Sequence, residues 1–366
     1  MKVIEAKAIA KQWVEQRAKK LPNFVCAFFV GSVACMHDDE DFPATSDIDL
    51  RIIVDQDVPD LLSNVSGEFA QTKLLVQGVI LEPQYWSKDH FLKFASEILE
   101  NPWEAVSFLK PNAILDANDE LVSVHRKVRA SYQDAFWVRK RCANVQEHAL
   151  TRLEQAASGQ LSFPGATSKY IVSISMLYVA AIPNVVQIPC VANLKGITLR
   201  KCLVASRETL IGAGKGDLYK AILKIVGVHN ITNVEASAHL AELESAFDYA
   251  LRVIHTQFFG AFDIDPLSRP ITIDGSRDLI GAGLHREAMF WIICMRNWVQ
   301  NAIENDGTEP EKAHFRSAYE HLLSAIGIAN HQDIVEKTDA FKQLLPEVMS
   351  AAHDIIDNHP DIYRQR

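Results

Sequence analysis

Asp47 and Asp49 sit one residue apart inside the apolar run Ser46-Asp-Ile-Asp-Leu-Arg-Ile-Ile-Val54. This pattern restricts the fold more than any other in the chain. Strand side chains alternate between faces, so both carboxylates share one face while Ile48 and Leu50 turn into a core. A strand with one buried face needs neighbouring strands and a covering layer. An earlier apolar run, Phe24–Val30, ends at Gly31-Ser32. A later one, Leu74–Glu82, ends before Pro83, and an acid before proline commonly closes a strand. The spacing therefore predicts a small mixed sheet, with Glu82 at the tip of its last long strand.

Adjacent carboxylates repel each other unless a cation lies between them. A hard divalent ion such as Mg²⁺ suits an all-oxygen donor set and usually arrives with substrate phosphates. Gly31 and Ser32 can offer backbone N–H groups and a hydroxyl to those phosphates. Ser46 stands beside the aspartates, and Glu82 supplies a third acid. The acidic run Asp38, Asp39, Glu40, Asp41 reads as a solvated loop.

Gly-Ser, then Asp-x-Asp, then a lone acid on a later strand resembles the nucleotidyltransferase superfamily, the one containing DNA polymerase beta. The short form Gly-Ser…Ser-Asp-Ile-Asp-Leu resembles the antibiotic-modifying adenylyltransferases of the aminoglycoside and streptomycin type. The resemblance covers roughly the first third of the chain. The loop between Ser32 and Asp47 is longer than in the compact members. What the resemblance implies is transfer of AMP from ATP to a hydroxyl of a small acceptor, with release of pyrophosphate. Two Mg²⁺ ions are then expected at Asp47, Asp49 and Glu82. Glu82 either completes the second ion site or takes the proton of the acceptor hydroxyl. ATP is the expected co-substrate, and an aminoglycoside-like molecule the expected acceptor.

The chain has 366 residues, enough for two domains. Near residue 120 the alternating runs give way to apolar residues at helical spacing. The expected architecture is α+β: a nucleotidyltransferase domain over 1–120 and a mostly α-helical domain over 121–366. Helices are expected over 4–20, Val58–Ala70, Lys88–Leu99, Leu121–Ala157, Ser168–Ala181, Thr198–Ile211, Leu218–Ile225, Val234–Phe258, Leu284–Glu304, Glu309–Ile326 and Asp333–Asn358. Turns are expected at Gly165–Ser168 and Pro189–Gly196.

Two segments of the helical part carry further candidates. Thr198 reads as a helix N-cap, which puts Arg200 and Lys201 in a first turn, where cations oppose the helix dipole. Two cations there point to a nearby anion such as a triphosphate, and the resemblance puts Lys201 first as the nucleotide-reaching lysine. On the helix around residue 290, Glu287, Trp291, Cys294 and Trp298 share one side. An acid among indoles suits a cationic substrate, while core packing with Glu287 paired to an arginine is the plainer reading. None of the thirteen histidines stands in a His-x-x-x-His spacing on a clear helix, so no metal motif is expected among them.

The formal net charge is −9. It disfavours a polynucleotide partner, which calls for a basic face, and favours a small cationic acceptor. The six cysteines are scattered without a Cys-x-x-Cys pair, which fits a reducing cytoplasm. The N-terminal residues lack a signal-type apolar core. No apolar run is expected to reach the length of a membrane span, the longest lying around Ala288–Cys294. Two rival readings remain. One is a toxin-like nucleotidyltransferase acting on tRNA or a protein hydroxyl. The other is a non-catalytic nucleotide-binding protein, against which the presence of all three acids counts.

Overall fold

The computed structural model describes residues 1–21, 23–57, 73–116, 119–160 and 164–363. The helix expected over Val58–Ala70 lies outside the described residues. The chain divides into two compact units. One comprises Met1–Arg141 with Leu194–Thr198 and His359–Arg366; the other comprises Cys142–Asn193 and Leu199–Asn358.

The first unit is built on a mixed sheet. Helix α1 (Val3–Gln16) starts where the Glu5 carboxylate accepts the Lys2 backbone N–H at 2.7 Å. Its buried stripe, Val3, Ala6, Ala10, Trp13 and Val14, follows the i, i+3, i+4 rule of an amphipathic helix. Strand β1 (Phe24–Phe29) leads into the five-residue helix α2 (Gly31–Cys35), and β2 spans Asp47–Val54. The expected single strand Leu74–Glu82 is instead a hairpin of β3 (Leu74–Val76) and β4 (Val79–Ser87). Gln77 and Gly78 both take positive φ, 49° and 84°, which is the backbone of a type I′ turn. Helix α3 (Lys88–Glu97), β5 (Ala113–Asp116) and α4 (Glu120–Ser131) follow. The strand order is β3-β4-β2-β1-β5. β2 runs antiparallel to β1 and parallel to β4.

The alternation along β2 sorts its residues as the sequence predicts. Ile48, Leu50, Ile52 and Val54 pack with Ala27, Phe29, Leu81 and the buried stripe of α1. Each such side chain contributes about 1.5–3 kcal/mol on burial. On the opposite face, Ile53 joins Cys26, Phe28, Phe91, Phe94 and Phe108 in a second core. Asp47, Asp49 and Arg51 lie on that second face, nearer the start of β2, and stay partly exposed.

The second unit is helical: α5 (Ala135–Ser158, which begins at the end of the first unit), α6 (Lys169–Ser175), α7 (Ile182–Ala192), α8 (Cys202–Gly212), α9 (Gly216–Val226), α10 (Asn233–Val253), α11 (Gly275–Gly281), α12 (His285–Asp306), α13 (Glu309–Ala325) and α14 (His331–Asn358). A π-helical turn over Met176–Ala181 joins α6 to α7, so helix runs through Pro189, where a turn was expected. The resulting segment Lys169–Ala192 is long and apolar enough to cross a membrane, contrary to expectation, but 89% of its apolar window is buried inside the protein. It is a core helix. α12 is buried along most of its length, and several of its polar residues bond internally: Asn297 donates to Ser175 and accepts from Tyr319, and Arg296 donates to Gln300 and to the Phe315 carbonyl.

Candidate active site

The parallel register of β2 and β4 sets Asp49 directly beside Glu82, with Asp47 beside Ile80. Side chains in register on parallel strands project from the same face. Asp47, Asp49 and Glu82 therefore form one acidic group on the sheet. Glu82 is not at a strand tip as expected, because β4 continues to Ser87. The strand passes through Pro83 without a break.

Asp49 is the centre of the group. Burial above all, then the charges of Asp47 and Glu82, push its carboxyl well above the usual carboxylate range, with Arg51 and Lys73 pulling the other way. Gly31 approaches from the end of β1. The Val30 N–H donates to the Asp49 carbonyl at 3.1 Å, and Gly31 takes φ +64°. A Cβ at this glycine would meet the Asp49 carboxylate, so any other residue there must displace that side chain. Ser32 follows in the first turn of α2. Ser46, immediately before β2, donates its backbone N–H to the Pro43 carbonyl.

Nothing local in the chain points to Lys73. Its Nζ pairs with Glu82 Oε2 at 2.8 Å, and its side chain is only 2% exposed. Gln84 Nε2 donates to the other Glu82 oxygen at 3.1 Å. Arg51 was legible as the next residue on the face of Asp47 and Asp49, yet it was not expected in the site. Its guanidinium donates to Glu104 at 2.6 Å and lies 4.9 Å from the centre of the Trp86 ring. Arg51 Nε and Nη1 are buried and make no hydrogen bond. The acidic run behaves as a structural loop: Asp38 pairs with Lys7 at 2.8 Å and Asp41 with Lys2 at 2.7 Å, which ties it to the start of α1.

The remaining candidates belong to the second unit. Helix α8 begins at Cys202, so Thr198 is not its cap and Arg200 and Lys201 do not lie in its first turn. Lys201 occupies the N-cap position and Arg200 donates to the Ile271 carbonyl. Glu287 is buried. It accepts the Tyr219 hydroxyl at 2.5 Å and lies 3.6 Å from the Arg207 guanidinium. Trp291 and Trp298 are buried and meet edge to face at 6.1 Å. This is the core-packing arrangement, with the acid paired to an arginine.

The donor set of the acidic group is all oxygen and carries three formal negative charges, which fits Mg²⁺ and no soft metal. No family model, curated protein or solved structure matches the chain.

Proposed function

We propose that the chain is a Mg²⁺-dependent nucleotidyltransferase that transfers AMP from ATP to a hydroxyl of a small cationic molecule, an aminoglycoside-like one by resemblance. The observation that supports this most is the register of Asp49 against Glu82, which adds a third acid to the Asp47–Asp49 pair on one face of the sheet. Asp47, Asp49 and Glu82 would hold the metal. When bound, it neutralises the triphosphate and the charge that develops as pyrophosphate leaves.

The chain's own residues bind and orient. Backbone N–H groups of Gly31 and Ser32, with the Ser32 hydroxyl, hold the terminal phosphates, and Ser46 assists beside the aspartates. Gly31 leaves room for the Asp49 carboxylate and fixes its position. Glu82 is gripped by Lys73 and Gln84 beside Asp49. Taking a proton from the acceptor would cost it the ion pair with the buried Lys73 ammonium, so its role here is to hold the metal. The acidic surface of the chain favours a cationic acceptor over a polynucleotide. Only residues of the first unit enter this reading.

The test is pyrophosphate release from Mg-ATP against a panel of aminoglycosides, lincosamides and bulk tRNA, with Asp49→Asn as the blank. Release with a member of the small-molecule panel is expected. Release with tRNA alone would move the acceptor to a macromolecule. No metal-dependent ATP binding and no release with any acceptor would overturn the reading.

A further inference from the structure

Histidine spacing along one helix hides a cluster that two helices assemble. On α10, His239 and Glu242 stand three residues apart and therefore on one face. His321, on α13, brings its ring to 5.4 Å from that of His239, centre to centre. One ligand atom from each of His239, Glu242 and His321 lies within 4.8 Å of the others. We propose that these three residues form a divalent transition-metal site, of the Zn²⁺ class, that clasps α10 to α13.

The donor set selects the metal. Two imidazoles and one carboxylate suit Zn²⁺ and its neighbours and do not suit Mg²⁺. The geometry is close to what a tetrahedral ion needs. Bonds of about 2.0–2.1 Å place neighbouring ligand atoms roughly 3.3–3.5 Å apart. His239 Nδ1 and Glu242 Oε2 are already 3.4 Å apart, a separation too long for a good hydrogen bond and close to a tetrahedral edge. His239 is 4% exposed and fixed by its surroundings. His321 is exposed, so it is the ligand free to swing inward. The buried Arg296 senses the Glu242 charge and opposes a cation, but its guanidinium is committed to Gln300 and the Phe315 carbonyl. Three protein ligands leave a fourth position for water or an exogenous ligand.

The experiment is calorimetric titration of the whole chain with Zn²⁺ in excess Mg²⁺, added to compete for the acidic group of the other unit. One-to-one binding is expected, with a higher melting temperature in Zn²⁺, and Co²⁺ should give the visible bands of a four-coordinate ion. His321→Ala removes an exposed ligand without touching the core. It should weaken binding by about tenfold or more and abolish the Co²⁺ bands. His239→Gln should do the same, and Asp49→Asn should leave both signals unchanged. Absence of binding in the wild-type chain overturns the site. So does a His321→Ala isotherm that overlays the wild type, or loss of Zn²⁺ binding in Asp49→Asn. None of these outcomes depends on nucleotide transfer, so this site and the proposed activity stand or fall separately.

Discussion

A Cβ atom on residue 31 would lie 2.0 Å from Oδ2 of Asp49. Gly31 is thus a spacer for a carboxylate as well as a neighbour of incoming phosphates. Even the smallest change, Gly31→Ala, should displace Asp49. A misplacement of that order costs about 10²-fold in rate. The left-handed backbone adds about 1–2 kcal/mol of strain. Pyrophosphate release and thermal melting of Gly31→Ala measure the two effects. Wild-type turnover in this variant would mean that the Asp49 position does not matter.

Asp49→Asn should separate stability from activity. The wild-type side chain is crowded by Asp47 and Glu82 and is partly desolvated, so a neutral amide of the same shape should raise the melting temperature of the metal-free chain. It should also erase the rise that Mg²⁺ gives the wild type, and abolish transfer. Differential scanning calorimetry with and without Mg²⁺ reads both. A variant that melts lower without metal would show that the acids are already compensated within the protein.

Glu82→Gln keeps the shape and removes the charge. If Glu82 helps to hold the metal, the variant should need more Mg²⁺, and excess Mg²⁺ or Mn²⁺ should restore part of the rate. A deficit indifferent to metal and shrinking as pH rises would make Glu82 the proton acceptor instead, a role worth about 10²–10⁴ in rate. Its ion pair can be measured independently. Lys73→Met should cost about 3–5 kcal/mol, the usual cost of breaking a buried pair. The double variant should be less damaged than the sum of the two singles. Additive losses in urea denaturation would rule out the coupling.

Lys337 gives a pH test outside the site. Its Nζ donates to the Ile225 carbonyl at 2.8 Å, and burial lowers the ammonium from 10.5 to about 8. The folded state therefore sheds a proton that the unfolded state keeps between those values. This group's penalty is fully present below about pH 8 and is relieved as pH rises toward 10.5. Lys337→Met should be more stable than the wild type at neutral pH, with the gap narrowing on the alkaline side. Equal slopes of stability against pH for the two proteins would refute the assignment.

The aspartate pair was legible because strand alternation is a local rule and Ile48, Leu50 and Ile52 obey it. The sequence reading puts Glu82 at a strand tip because Pro83 reads as a stop, whereas the strand runs on to Ser87. The Gln77-Gly78 turn was missed because glutamine rarely takes positive φ. Lys73 gave no local signal, since its partner lies across a hairpin. The break in the expected helix Leu121–Ala157, at Tyr132–Asp134, falls where Arg141 folds back to donate to the Tyr132 carbonyl, a contact no periodicity encodes.

The first unit has a feature that bears on how the chain is made. Tyr363 donates its backbone N–H to the Gln133 carbonyl and its hydroxyl to the Ala130 carbonyl, and it accepts the Ala135 N–H. During synthesis, those bonds to the end of α4 wait until residue 363 has left the ribosome. The sheet can form early, but its unit stays unfinished while more than two hundred intervening residues are translated. Nascent chains halted before that point should present an open seam at residues 130–135 to chaperones and proteases.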